Sequence, residues 1–187
     1  VAVGMLEDIR KILLHESTIL SRLDEMAHEI ADAYRGKDVT VISVLNGSFI
    51  FVADLLRRVP LPLQVDCLSV SSYHGTKTTG TVTFRQTDLA SFQGRHVLLI
   101  DDILDSGHTL HAIGARLAEG GALSIRTCVL LRKQVTRERE INADYVGFDI
   151  PNEFVVGYGL DYMEKYRNLP FVGVLTDDAI ARGRPTA

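Results

Sequence analysis

Three acidic residues carry the densest chemistry in this chain. Asp101 and Asp102 end an apolar run, Asp105 follows three residues later, and Ser106, Gly107 and Thr109 come directly behind it. Residues 97–110 read Val-Leu-Leu-Ile-Asp-Asp-Ile-Leu-Asp-Ser-Gly-His-Thr-Leu. The first part has the pattern of a buried strand and the last part begins a helix. The turn between them offers free backbone N–H groups, two hydroxyls and a helix N-terminus, the ingredients of a phosphate cradle. Gly107 lets the backbone approach a phosphate closely. Carboxylates beside such a cradle repel a simple phosphate monoester. They suit a sugar phosphate, because they accept hydrogen bonds from vicinal hydroxyls while the phosphate sits a few ångströms away. A divalent cation would offset the charge further. A plainer reading has Asp102, Asp105 and Ser106 merely capping the helix. Capping accounts for one acid, not for three acids and two hydroxyls at a buried strand end.

The pattern around this segment is an alternation of apolar strands and helices. Residues 17–35 predict an amphipathic helix, with Leu23, Ala27, Ile30 and Tyr34 at three- and four-residue steps, Ser17 or Thr18 as cap and Gly36 after its end. Residues 39–45 are β-rich and end in Asn46-Gly47-Ser48; a helical pattern over 49–58 is stopped by Pro60. Residues 64–73 predict a strand with Val65, Cys67, Ser69 and Ser71 on one face, followed by weak strand character at 81–84. Strands are also predicted at 95–100, 124–131, 145–150 and 171–175, and a helix at 107–119 with Leu110, Ile113, Gly114 and Leu117 on one side. Apolar strands alternating with helices imply an α/β fold with a mostly parallel sheet covered on both faces. Ligands of such sheets bind beyond the carboxyl ends of the strands. Three strand ends carry unusual chemistry: Asn46-Gly47-Ser48, Asp101-Asp102 and Arg132-Lys133.

Composition sets the class. The chain has 187 residues, 46% hydrophobic and 24% charged, with a formal charge of −4. These values fit one folded domain, residues 1–187, and argue against disorder, a disulfide scaffold or a membrane span. Mild acidity gives no support to nucleic-acid binding. The two cysteines, Cys67 and Cys128, lie in apolar β-branched runs and read as buried free thiols in a reducing compartment. The first five residues are too short and too weakly apolar for a signal peptide, which together predicts a cytoplasmic location. The tail from Arg182 onward is expected to fray.

The 97–110 segment closely resembles the phosphoribosyl-pyrophosphate (PRPP) binding motif of type I phosphoribosyltransferases. Further stretches match the hypoxanthine-guanine phosphoribosyltransferases in the same order, over residues about 17 to 175. They are Leu45-Asn46-Gly47-Ser48, Ser71-Ser72-Tyr73 before a long loop, Lys133 after a strand, and Glu153-Phe-Val-Val-Gly-Tyr-Gly-Leu-Asp-Tyr162 with Arg167. The last stretch separates the 6-oxopurine enzymes from others of the fold.

The resemblance implies a type I phosphoribosyltransferase fold. Its core would span about 36–150, its hood about 1–35 and 151–187, and a mobile lid about 74–93 with Ser72 and Tyr73 at the hinge. It implies that Asp101 and Asp102 hold the ribose hydroxyls and that Asp105 is the general acid/base near N7 of the purine. Asp105, Ser106, Gly107, Thr109 and the backbone of His108 would bind the 5′-phosphate. Lys133 would donate to the exocyclic O6, Phe154 would stack on the purine, Val155 would read its edge through backbone groups, and Asp161 would lie near the base. Asn46, Gly47, Ser48 and Arg167 would face pyrophosphate, and Asp101, Asp102 and Asp161 would associate with Mg²⁺. Family members often carry Lys where this chain has Asn46, so a charge-assisted pyrophosphate contact is missing there. The implied reaction joins hypoxanthine or guanine to PRPP, giving IMP or GMP and pyrophosphate, in a homodimer or homotetramer. Three rivals fit less well. An RNA-binding regulator of this fold would show a basic face. A signalling receiver domain has its acids after the first strand. Phe154 to Asp161 favours purine over orotate.

Overall fold

The computed structural model describes residues 3–71, 83–85, 92–136 and 142–183. The larger sheet is built from β2 (Val39–Leu45), β3 (Gln64–Ser71), β4 (Thr83–Arg85), β5 (His96–Leu104), β6 (Ser124–Lys133) and β7 (Tyr145–Ile150). Its order is β4-β3-β2-β5-β6-β7. All pairings are parallel except β3 with β4, as the alternation of strands and helices requires. The central strand β5 pairs His96 with both Val39 and Ser124, and continues alongside β6 as far as Leu104–Arg132.

Both faces of the sheet are covered. On one side lie α2 (Glu16–Tyr34) and α3 (Phe49–Leu56), whose apolar stripes join Leu98, Ile100 and Leu130 in the first core. On the other lies α4 (His108–Glu119), whose Leu110, Ile113 and Leu117 meet Val97, Leu99 and Val129. This explains why β5 reads as an unbroken apolar run: Val97 to Ile100 alternate between two cores, and each is fully buried. Arg22 of α2 fastens the helix to the sheet margin by donating to the carbonyls of Val146 and Gly147 at 3.0 and 3.2 Å.

A second, antiparallel sheet has the order β1-β9-β8, from β1 (Ile9–Leu14), β8 (Val155–Val156) and β9 (Val172–Leu175). Two short helices, α1 (Val3–Glu7) and α5 (Asp177–Gly183), flank it around a third core of Val156, Leu169, Phe171, Leu175 and Ala179. Of the leading segment, β1 belongs to this sheet, while α2 packs on the larger one.

Several sequence expectations are corrected. The first residue of α2 is Glu16, preceded by His15 in extended conformation with no side-chain cap, so Ser17 and Thr18 fall inside the first turn. Cys128 is buried, but Cys67 is exposed, as are Val65 and Ser69 on the same face of β3. Arg182 and Gly183 do not fray: they complete α5, and Arg182 pairs with Asp8. Residues 184–187 lie outside the described residues. No helix among the described residues is long and apolar enough to cross a membrane.

Leu98 is fully buried in the first core. Truncating it to Ala is expected to destabilise the protein by about 2–5 kcal/mol through lost burial and a residual cavity, measured by urea unfolding with an unchanged m-value.

Candidate active site

A cavity of about 960 Å³ opens at the carboxyl ends of β2 and β5. β5 runs past its last apolar residue, Ile100, and delivers Asp101 and Asp102 to the floor. Asp101 is only 8% exposed. Its Oδ1 accepts from the Asp102 amide at 2.9 Å, and Asp102 Oδ1 accepts from the Ile103 amide at 2.7 Å. Burial pushes the Asp101 carboxyl well above the usual carboxylate range, and the neighbouring charge of Asp102 pushes it further. Burial also raises Asp102, against hydrogen bonds and the positive charge of Arg167, which hold it down. Two acids are thus kept ready for a partner rich in donors or positive charge.

Beyond the acids, β5 turns into α4. Gly107 caps the helix in left-handed conformation at φ 81°, the reason a glycine stands there. Asp105, Ser106, Gly107 and Thr109 all line the cavity. The α4 N-terminus therefore faces the cavity with the positive end of its dipole, and Ser106 Oγ accepts weakly from the His108 amide at 3.4 Å.

The turn after β2 closes another wall. Gly47 lies so near the acids that a Cβ there would stand 1.7 Å from Asp102 Oδ2. Gly159, at φ +103°, backs onto the same turn, since its Cβ would stand 2.1 Å from the Gly47 carbonyl oxygen. Asn46 and Gly47 line the cavity. Ser48 does not: its hydroxyl is buried, donates to the Val44 carbonyl, and sits 2.9 Å from Ser43 Oγ. Only the backbone of Ser48 remains for a ligand.

The small sheet supplies the remaining wall. Phe154 is 46% exposed, so it is no core residue, and Tyr162 meets it edge-on with centroids 5.3 Å apart. Val155 turns its side chain into the core and pairs with Val174, leaving the outer backbone edge of β8 without a strand neighbour among the described residues. Arg167 donates to the Gly159 carbonyl at 2.9 Å and pairs with Asp161 and Glu164, each at 3.0 Å. The second Asp161 oxygen accepts from the Glu164 amide at 2.9 Å. Asp101, Asp102 and Asp161 do not converge into one ligand set: no three His, Cys, Asp or Glu side chains among the described residues do.

Lys133 is not on the cavity wall. Its ammonium lies 2.9 Å from Asp105 Oδ2, which is, so the lysine reaches the cavity through that carboxylate. Tyr162, which ends the matching 153–162 stretch without an expected role, and Met163 and Glu164, for which the sequence carries no expectation, also line it. The signal was adjacent, since all three directly follow Asp161, but Met163 and Glu164 face the cavity through positive-φ backbone that no local pattern announced. Ser72, Tyr73 and most of the expected lid lie outside the described residues.

Residues 10–163 match the phosphoribosyl transferase domain family. The chain is 42% identical to the hypoxanthine-guanine phosphoribosyltransferase of Streptococcus pneumoniae, over 93% of this chain and 98% of that protein. It is 45% identical to the one from Mycobacterium avium, over 90% and 86% respectively. The chain belongs to the hypoxanthine-guanine phosphoribosyltransferases. Its larger sheet and small antiparallel sheet are those of the type I phosphoribosyltransferase fold. The hypoxanthine phosphoribosyltransferase structure of Staphylococcus aureus superimposes with a TM-score of 0.90 at 39% identity, covering 96% of this chain and 98% of that one. A mutant of the Trypanosoma cruzi enzyme, solved as a ternary substrates complex, gives 0.87 at 38% identity, covering 93% and 99%. The chain also matches the bifunctional TilS/HprT protein of Listeria monocytogenes at 45% identity, over 92% of this chain but only 27% of that protein.

The buried acids of this phosphoribosyltransferase carry a stability signature. Well below the ordinary aspartate pKa of about 3.9 their carboxyls are protonated folded and unfolded alike. As pH rises, the folded state resists ionisation that the unfolded chain accepts, so stability is lost through the raised native pKa. In ligand-free, metal-free protein at neutral pH, Asp101→Asn is expected to raise Tm, by about 2–4 °C per kcal/mol relieved. The gain should shrink as pH falls towards about 4 in thermal scans across pH.

Proposed function

We propose that this protein transfers the 5-phosphoribosyl group of PRPP to N9 of hypoxanthine or guanine, releasing pyrophosphate and giving IMP or GMP for purine salvage. One observation carries the reading: one cavity is lined by a buried acid pair, a helix N-terminus, and an exposed aromatic together with an aspartate that pairs with a lysine. The first suits vicinal hydroxyls, the second a phosphate, and the third a flat base with one polar edge.

Each residue then has a task. Asp101 and Asp102 accept hydrogen bonds from the ribose hydroxyls, turning the raised pKa from a burden into binding. Ser106, Gly107, Thr109 and the His108 backbone take the 5′-phosphate at the α4 N-terminus. Asn46 and the amides of Gly47 and Ser48 face the leaving pyrophosphate, and Arg167 supplies the positive charge that Asn46 does not. Phe154 stacks on the purine while the open edge of β8 at Val155 lies beside it. Asp105 and Lys133 present an acceptor and a donor 2.9 Å apart, the complement of an N7–H beside a 6-oxo group. As N9 attacks C1′ and the bond to pyrophosphate breaks, Asp105 takes the N7 proton. Adenine would set its 6-amino donors against the Lys133 ammonium.

The oxocarbenium-like ribose is open to water, so a lid over about 74–93, hinged at Ser72 and Tyr73, would close during chemistry. Mg²⁺ fits this donor set: it is commonly held by one or two carboxylates together with substrate phosphates, and Asp101, Asp102 and Asp161 offer carboxylates at separate points of the wall. When bound, it neutralises charge on the pyrophosphate. The small sheet acts as a hood over the larger one. The reading carries with it a cytoplasmic enzyme assembled as a homodimer or homotetramer.

The test supplies PRPP, Mg²⁺ and each purine base in turn, following nucleotide and pyrophosphate. Hypoxanthine and guanine should yield both products and adenine neither; no turnover with any 6-oxopurine would overturn the reading. Asp105→Asn should lower kcat by about 10²-fold, the range of general acid/base groups, with PRPP binding intact. Lys133→Ala should narrow the gap between hypoxanthine and adenine.

A further inference from the structure

Phe154 stands with nearly half its surface free, and an exposed aromatic needs something to hold its plane. Its one aromatic partner among the described residues is Tyr162, at an interplanar angle of 82°. In this arrangement the positive edge of one ring meets the negative face of the other. Tyr162 is itself held from behind. Its hydroxyl donates to the Ile180 carbonyl of α5 at 2.6 Å. Its ring lies against Gly183, where an added Cβ would stand 2.4 Å from Cε1 and 2.8 Å from the hydroxyl oxygen. That space exists only because the last residue of α5 lacks a side chain.

α5 is a firm support. Ala179 is buried and Ile180 packs on the third core. Arg182 pairs with Asp8, which also accepts from the Tyr166 hydroxyl at 2.7 Å. The helix is thereby tied to both ends of the loop that carries Tyr162.

We propose that Tyr162 is a positioning residue which seats the Phe154 ring for the purine, with α5 as its backstop. The inference rests on the reading of Phe154 as the base-stacking residue. A ring already held in its stacking plane loses less freedom when the base arrives, and that saving appears as affinity for the base. The pyrophosphate side is independent. Arg167 is fixed by Gly159, Asp161 and Glu164, and Asp161 by the Glu164 amide. None of those bonds uses the Tyr162 hydroxyl or Gly183. Disturbing the Tyr162 seat therefore weakens the base and spares the PRPP.

Steady-state kinetics on the full chain separate these effects, with hypoxanthine and PRPP varied independently and Tm recorded alongside. Tyr162→Phe keeps the ring but frees it from Ile180. Gly183→Ala leaves every cavity residue intact but pushes the ring from behind. Each should raise KM for hypoxanthine about fivefold, the scale of one hydrogen bond or aromatic contact. KM for PRPP should stay within about twofold, with Tm little changed. An unchanged hypoxanthine KM in either variant overturns the inference, as does a parallel rise of both KM values with a fall in Tm. A wild-type protein that transfers nothing to any purine overturns the proposed function and this inference with it. An active wild type whose variants match it overturns this inference alone.

Discussion

Two adjacent carboxylates at the end of a strand buried on both faces are the feature this architecture has to accommodate. β5 feeds both helical cores along its apolar length and then carries two acids at its tip. Among the described residues, Asp101 and Asp102 lose water without gaining a cation near enough to neutralise both; Arg167 acts only on Asp102. Burying unpaired charge is expensive. The surrounding packing holds the pair in place, and under the proposed function stability is given up to keep the binding site polarised. That is the usual economy of an active site, where strain or charge is tolerated because a ligand relieves it.

Everything else in the cavity is arranged around that pair. The Gly47 turn fits only because neither Gly47 nor Gly159 has a side chain. The α4 N-terminus is aimed by the left-handed Gly107. The small sheet brings its residues to the same place because it shares a core with the larger one: Val155, Tyr158, Leu160, Val172 and Val174 pack with α2 and α3. Tyr158 reinforces this by donating to Asp54 of α3 at 2.5 Å, and Arg10 of β1 pairs with Glu153 just before Phe154 at 2.7 Å. The proposed sugar, phosphate and base groups are thus presented from different elements but one packed unit.

The sequence revealed the larger sheet well, because strands buried on both faces are unbroken apolar runs, as at 97–100 and 128–131. It revealed the small sheet poorly. β1 has Arg10 and Lys11 in its middle and two irregularities in its register with β9, which erase the alternation that marks a strand. β8 has only two residues, and its Val-Val reads as either core or site. Strands outrun their apolar stretches where acids and basic residues resemble loop: β5 continues through Asp101 and Asp102, and β6 through Lys133. Cys67 looked buried by composition, yet β3 leaves that face open. For the site, Asn46, Gly47, Asp101, Asp102, Asp105, Ser106, Gly107 and Thr109 are legible from type and spacing at strand ends, while Phe154, Asp161 and Arg167 come only with the family resemblance. What could not be read were contacts made across the fold: Ser48 turning inward, Lys133 meeting Asp105, and Tyr162 linking Phe154 to α5.

Under the proposed function the Asp101–Asp102 pair recognises sugar hydroxyls while α4 grips the phosphate. Calorimetric titration of ribose 5-phosphate against 2-deoxyribose 5-phosphate isolates this recognition, with wild type and the Asp101→Asn, Asp102→Asn double variant compared. Wild type should favour the ribose form by about tenfold or more, the scale of a charge-assisted hydrogen bond. The double variant should bind both sugars alike while retaining affinity for the phosphate. Equal binding of the two sugars by the wild-type protein would contradict the account.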